Sequence, residues 1–445
     1  MVQKSGVDQK YLSILVSTEA FSGDIEVYQL NSTQRIPASV TKIITAAASL
    51  KLFPENHKFV TQLVSNGEIK EGVLKGDLVI VGGGNPSFVS ENLWELVNEF
   101  KRNNVTKIDG HIVVDDSLFD NIRFDPSRLK ARVNRADDAP IGAMSFNWNS
   151  VNVFVRPGEK SGVGAKVYLD PENNYYDLVN EVKTTSGKGA KIRLSRKGVR
   201  GFKEEITVSG EIGLQSPEQV RYMSVLHPDY WVGYNLETFL RQRGITVTGV
   251  VKTGQAPKNA KIFADHESKP IADIVKDMMK FSNNYVAEML TKNLASLKHP
   301  GKPASLNDGV KELRNFMAKQ GVDKKNFQLV NPSGLSRDNL VRAQDISQLL
   351  ESLQNQFQIF PEFLTSMPIS GVDGTLKRRM NGDSVKGWVR AKTGMLSGVV
   401  GLAGYAKSKN TPLFTYVFFY NGPAKLNNKA KELADQIAAG LVDES

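Results

Sequence analysis

The stretch Arg35–Leu50, RIPASVTKIITAAASL, places a hydroxyl and an amine, Ser39 and Lys42, three residues apart where an Ala-rich helix begins. Pro37 suits the first turn of a helix, and the run Ile43–Leu50 is small and apolar enough to be buried. A polar pair at the mouth of a buried helix has to be satisfied, because an unpaired buried polar group is costly. Two readings are open. Ser39 caps the helix while Lys42 extends its amine to water, or Lys42, one turn on, points its amine at the Ser39 hydroxyl and activates it.

The flanking chain supplies the scaffold. YLSILVSTEA and GDIEVYQLN read as two strands of a hairpin through Phe21, Ser22 and Gly23, and the helix near Ser39 follows. Near the other end, KGWVRAKTG, SGVVGLAGYAK and PLFTYVFFYNG read as three strands, followed by an amphipathic helix through NNKAKELADQIAAGLV. Together these predict one antiparallel sheet built from both ends of the chain, with the middle inserted. The expected division is a discontinuous domain of residues 1–57 and 264–445, an inserted α/β domain of 58–151 and 215–263, and a small nested β domain of 152–214. The nested part is rich in Gly, Lys and Val and loses helical periodicity, whereas helical patterns dominate after Ile271.

Composition excludes several chemistries. There is no cysteine, hence no thiolate metal site, disulfide or cysteine nucleophile. The five histidines (His57, His111, His227, His266, His299) show no metal-ligand spacing, so no cofactor or metal is expected, and a Ser-His-Asp triad is poorly supported. No apolar run approaches the roughly 20 residues of a membrane helix. The net charge of +10 is spread along the chain, with a modest concentration at Gly187–Glu205. Without a nucleic-acid-binding signature this reads as a solvated basic surface that could steer acidic polymers or an anionic membrane face. Peripheral membrane association is not predicted from it.

Three short motifs carry the chemistry. Ser-x-x-Lys occurs at Ser39–Lys42 and again at Ser127–Lys130, where the preceding Asp-Pro indicates a turn. Ser-x-Asn is a common pattern, met among other places at Ser145–Asn147, Ser150–Asn152 and Ser282–Asn284. Only the last interrupts two strongly helical apolar runs, where Ser and Asn are poor helix-interior residues and need a reason. Lys-Thr-Gly occurs at Lys252–Gly254, entering a loop, and at Lys392–Gly394, between two strands assigned to the main sheet. The ordered set Ser39–Lys42, Ser282–Asn284, Lys392–Gly394 on one domain is the motif set of penicillin-binding proteins and class A β-lactamases.

With the large β-rich insert between the first two motifs, the chain resembles the low-molecular-mass class C penicillin-binding proteins, a D-alanyl-D-alanine carboxypeptidase/endopeptidase family. APIGAMSFNWNSVNVFVRPG, MKFSNNYVAEML, NPSGLSRDNLV and GVDGTLKRRM resemble that family's sequences, and the resemblance spans nearly the whole chain. It implies a penicillin-binding/β-lactamase-like transpeptidase domain, an antiparallel sheet flanked by helices and carrying the insertion. It also implies peptidoglycan stem peptides as substrate, β-lactams as covalent inhibitors, no nucleic-acid partner, and action in the periplasm after removal of a signal peptide. On that basis Ser39 is the nucleophile, Lys42 its base, and Ser282 the proton relay. Asn284, Lys392, Thr393 and Gly394 bind substrate, and the backbone N–H groups of Ser39 and Met395 form the oxyanion hole.

Two departures from the family's pattern bear on specificity. The position after Lys-Thr-Gly, commonly Ser or Thr in relatives, is Met395. Upstream of Ala139-Pro140, where relatives carry a Trp- and acid-containing stretch, this chain has KARVNRADD, with Arg132 and Arg135 prominent. Two other readings share parts of the motif set. A β-lactamase would need a deacylation device, and no class A Glu-bearing loop is recognisable. A non-catalytic β-lactam or peptidoglycan sensor would usually lack the Ser or Lys that are both present.

Overall fold

The computed structural model describes residues 1–20, 23–127, 135–410 and 412–442. From the N-terminus, β1 (Leu12–Ala20) and β2 (Gly23–Leu30) pair antiparallel, and α1 (Lys42–Leu52) follows a 3-10 turn at Ala38–Thr41. Phe21 and Ser22, expected to turn the hairpin, lie outside the described residues.

The insert opens with β3 (Val60–Ser65), β4 (Glu68–Lys70), β5 (Val73–Lys75), β6 (Leu78–Val81), α2 (Ser90–Lys101), β7 (Lys107–Asp109) and β8 (Ile112–Asp115). It continues with β9 (Ser150–Arg156), β10 (Lys166–Asp170), β11 (Tyr176–Thr185), β12 (Ala190–Val199), β13 (Lys203–Gly213) and β14 (Gln219–Ser224). It closes with α3 (Pro228–Gln242), β15 (Thr246–Val247), β16 (Val251–Thr253) and β17 (Lys261–Glu267).

Helices α4 (Ile271–Phe281), α5 (Asn284–Lys298), α6 (Leu306–Lys319), α7 (Ala343–Gln354) and α8 (Phe360–Ser366) come next. Then follow β18 (Val389–Leu396), β19 (Val399–Ala406), β20 (Phe414–Asn421) and α9 (Asn427–Gly440).

The ends of the chain meet as expected. The main sheet runs β18-β19-β20-β1-β2, so the N-terminal strand β1 is paired with the C-terminal strand β20. Alternation along β20 sends its side chains to two different cores. Val417 and Phe419 join the cluster formed by α1 and α4–α8, while Tyr416, Phe418 and Tyr420 face Leu433 and Ala434 of α9. The fold is therefore a sheet covered on both faces, a mixed α/β architecture.

In the insert, β16-β8-β6-β3-β17 form one sheet in which the β6–β8 and β8–β16 pairs are parallel, with α2 and α3 supplying the crossovers. The small sheets β10-β9-β14 and β11-β13-β12 lie within it in sequence. The strands place the limits differently from the sequence reading. The expected boundary at 263/264 falls inside β17, which pairs with β3 from Lys261 to Glu267. The nested region's first and last strands, β9 and β14, pair with each other from Ser150 to Ser224, beyond both ends of 152–214. Its basic stretch lies on β12 and β13, where Lys197 pairs with Glu205 at 2.8 Å and Lys191 stands opposite Glu211. Cross-strand carboxylates therefore offset part of that charge.

Phe419, fully buried between the sheet and the helices, measures how much the site's scaffold depends on this core. Phe419→Ala is expected to lower the unfolding free energy by about 3–5 kcal/mol through lost transfer energy and the cavity left behind. The check is the midpoint of equilibrium denaturation in urea. A midpoint equal to wild type would contradict the packing described.

Candidate active site

The 3-10 turn Ala38–Thr41 carries Ser39 into a cleft of about 310 Å3 lined by Ser39, Phe281, Ser282, Asn283, Asn284, Leu335, Met395 and Leu396. Ala38 sits in the left-handed region, φ +48°, a conformation that L residues seldom adopt and that costs backbone energy. The turn is gripped from two sides by close backbone approach. A Cβ on Gly334 (φ +84°) would lie 1.9 Å from the Ala38 carbonyl oxygen, and one on Gly394 would lie 2.6 Å from that of Pro37. Only glycine fits at either place.

The reading that has Ser39 as a cap and Lys42 at the surface does not survive. No side chain caps the 3-10 turn or α1, and Lys42 is completely buried. Its amine lies 3.0 Å from Ser39 Oγ, 2.7 Å from Asn284 Oδ1 and 2.5 Å from the Ser333 carbonyl oxygen. An ammonium donates to all three. A neutral amine donates to Asn284 and Ser333, which can only accept, and turns its lone pair to the Ser39 hydroxyl, which has a proton to give. The cage thus serves both protonation states and aims the basic one at the hydroxyl.

The Ser-x-Asn motif is a helix junction. Ser282 ends α4 in the left-handed conformation, φ +57°, and the Asn283 side chain accepts the Val286 N–H to start α5. That break faces Ser282 into the cleft and buries Asn284. Strand β18 approaches from the opposite side. Lys392 is wholly buried and its amine donates to Ser282 Oγ at 2.7 Å and to the Thr393 carbonyl at 2.9 Å. Burial pushes its pKa down to about 7. At neutral pH this amine therefore carries its charge only part of the time. Because the unfolded chain binds that proton more tightly, the contribution of Lys392 to stability rises with pH above about 7.

Thr393 shares a 2.9 Å hydrogen bond with Thr375, Gly394 fits against the Ser39 turn, and Met395 lies half exposed at the cleft mouth. The structure thus brings Ser39, Lys42, Ser282, Asn284, Lys392, Thr393, Gly394 and Met395 to one place. The decoy motifs lie elsewhere. Lys252 is on β16 of the insert, paired with Asp77 at 2.9 Å. Ser127 is in a turn held by Asp125, while its motif partner Lys130 lies outside the described residues, as does Arg132. No group of His, Asp or Glu among the described residues is arranged to hold a metal.

Sequence reasoning missed Ser333, Asn331, Glu288, Asp138 and Thr375. The phrases NPSGLSRDNLV and GVDGTLKRRM contain three of them, but Ser333 acts through its backbone oxygen, which leaves no mark on residue type.

Comparison with known proteins identifies the family. Residues 2–442 match the family described as D-Ala-D-Ala carboxypeptidase 3 (S13). A D-alanyl-D-alanine carboxypeptidase of Actinomadura sp. (strain R39) is 30% identical over 426 residues, covering 92% of this chain and 77% of that protein. The crystal structure of penicillin binding protein 4 (dacB) from Haemophilus influenzae superposes with a TM-score of 0.82 at 26% identity, covering 96% of this chain and 97% of that one. The same protein complexed with a β-lactam gives a TM-score of 0.77, also at 26% identity, covering 96% of each chain. With its sheet, insert and motif order all in place, the chain belongs to the D-Ala-D-Ala carboxypeptidase 3 (S13) family of penicillin-binding, peptidoglycan-related hydrolases.

Proposed function

We propose that this protein is a periplasmic serine DD-peptidase that cleaves D-Ala-D-X bonds of peptidoglycan stem peptides, as carboxypeptidase and as endopeptidase, and that β-lactams acylate it. The observation that carries the reading is the buried Lys42 amine 3.0 Å from Ser39 Oγ, with Lys392 and Ser282 facing it as a second amine–hydroxyl pair. The β-lactam complex of the Haemophilus influenzae relative supports the inhibitor class. The periplasmic setting rests on the family resemblance.

In the proposed reaction, Ser39 Oγ attacks the carbonyl carbon of the penultimate D-Ala as its proton passes to Lys42. The developing oxyanion is held by the N–H groups of Ser39 and Met395. Collapse breaks the C–N bond, and Ser282 delivers its proton to the departing amine while taking up the proton held by Lys42, which leaves both groups neutral. Water then attacks the acyl-enzyme, returning the proton to Ser39 and releasing the shortened peptide. Asn284 holds the substrate amide on the cleft wall while Lys392 and Thr393 hold the carboxylate beyond the scissile bond.

A radiolabelled penicillin is expected to attach to Ser39. Ser39→Ala is expected to lose both labelling and peptidase activity, Lys42→Ala to lose acylation while still folded, and Lys252→Ala to remain near wild type. Labelling retained in Ser39→Ala would sink the assignment.

The pKa of Lys392 sets a pH dependence. The amine has to be protonated to attract a carboxylate, so binding weakens as pH rises through about 7. KM for a pentapeptide is expected to rise about tenfold from about pH 6 to about pH 8. KM for the same peptide with an amidated C-terminus should stay flat. Parallel behaviour of the two peptides would remove Lys392 as the carboxylate's counter-ion.

Met395 fills the place where relatives carry a hydroxyl, which leaves Thr393 and Lys392 to hold that carboxylate. One hydrogen bond to a charged group is worth about 1.5–3 kcal/mol, or roughly ten- to a hundredfold in rate when made in the transition state. Cross-linked substrates draw additional binding from their acceptor strand, so endopeptidase action should be substantial. Met395→Ser is expected to raise carboxypeptidase activity selectively. Mass analysis of digested muropeptides measures both. Rapid trimming of pentapeptides with dimers left intact, or no response to Met395→Ser, would refute this account of substrate choice.

A further inference from the structure

The two acceptors that share the Lys42 amine with Ser39 are both tied to carboxylates of the insert. Asn284 donates through Nδ2 to Asp138 Oδ1 at 3.0 Å. The Ser333 carbonyl belongs to a turn organised by Asn331, whose Oδ1 accepts the N–H groups of Ser333 and Gly334, both at 3.0 Å. Asn331 Nδ2 in turn donates to Asp125 Oδ2 at 2.5 Å and to Glu288 Oε1 at 3.1 Å. Asp138 is fully buried and Asp125 nearly so. Neither is placed to meet a side chain arriving from solvent.

A primary amide has two ends that differ only in what they offer, an oxygen that accepts and a nitrogen that donates. Turned over, Asn284 would present N–H groups to the Lys42 amine in place of an acceptor. Asp138 prevents this by taking the Nδ2 end, which leaves Oδ1 for Lys42. The same logic fixes Asn331. Its two amide hydrogens go to Asp125 and Glu288, so its oxygen faces the turn that carries the Ser333 carbonyl.

We propose that Asp125 and Asp138 are positioning residues for the catalytic lysine: two insert carboxylates that orient Asn331 and Asn284 and thereby aim the Lys42 lone pair at Ser39. The insert then completes the catalytic constellation as well as flanking it. This rests on the reading of Lys42 as the base that activates Ser39.

The test is the acylation of the full chain by a chromogenic β-lactam, resolved into a rate constant and a binding constant, together with kcat and KM for a pentapeptide. Asp138→Ala and Asp125→Ala are expected to slow acylation and kcat by about ten- to a hundredfold while binding and KM change less than about twofold. Asp138→Asn and Asp125→Asn, which keep an acceptor oxygen, should recover most of the rate. Wild-type rates in a folded Ala variant overturn the proposal. So does a loss confined to KM, or Asn variants no better than Ala. Should an Ala variant melt below the assay temperature, the Ser variant, too short to reach the amide, replaces it under the same criteria. If wild type itself is not acylated, the failure belongs to the Ser39–Lys42 reading, not to this one.

Discussion

A lysine amine held without solvent is the constraint on which the rest of the site depends. Lys42 is shut away from bulk solvent, so the polar neighbours described above are fixed by the need to satisfy it. That need explains the position of two distant segments, the α4–α5 break that delivers Asn284 and the 331–335 turn that delivers a carbonyl, and of the adjoining 3-10 turn that keeps Ser39 within reach. The strained backbone at Ala38 and Ser282 belongs to the same design. Strain of this kind persists only where surrounding contacts over-determine it. Here the glycines at 334 and 394 let two backbones press directly on the Ser39 turn.

The second amine stands in a different relation to its surroundings. Lys392 is as buried as Lys42, yet the contacts described for it are a hydroxyl and a carbonyl, and burial leaves its pKa near neutrality. An amine in that condition gains most from an arriving anion, because the anion supplies the opposite charge that the folded protein does not place there. The two lysines thus divide the labour by environment: one encaged and aimed, the other poised to respond to a ligand.

What the sequence disclosed follows the range over which its signals act. The strands of the main sheet were legible because their alternation is local, and the terminal helix because its apolar positions recur at helical spacing. The Ser282–Asn284 motif was legible because two helix-disfavouring residues interrupt a strongly periodic run. The decoys at Lys252 and Ser127 were separable by the turns and loops around them. Asp138 and Asn331 were not legible as parts of the site. Their partners lie 146 and 206 residues away in sequence, and each pairing is one hydrogen bond that only the tertiary fold brings about. The end of the insert was misplaced for a related reason: β17 belongs to it by pairing with β3, while its own burial pattern is irregular.

The pairing of β1 with β20 has a consequence for the order in which the protein comes into being. The central sheet cannot close until the last strand is present, so the contacts of longest sequence separation are also those that hold the catalytic core together. The insert has its own sheets and its own apolar core, and nothing in its strand pairing waits for the C-terminal strands. It is free to fold while the chain is still growing. A nascent or truncated chain lacking β18–β20 would hold Ser39 and Lys42 but neither Lys392 nor the strand that presses Gly394 against the Ser39 turn. The proposed site is therefore completed last.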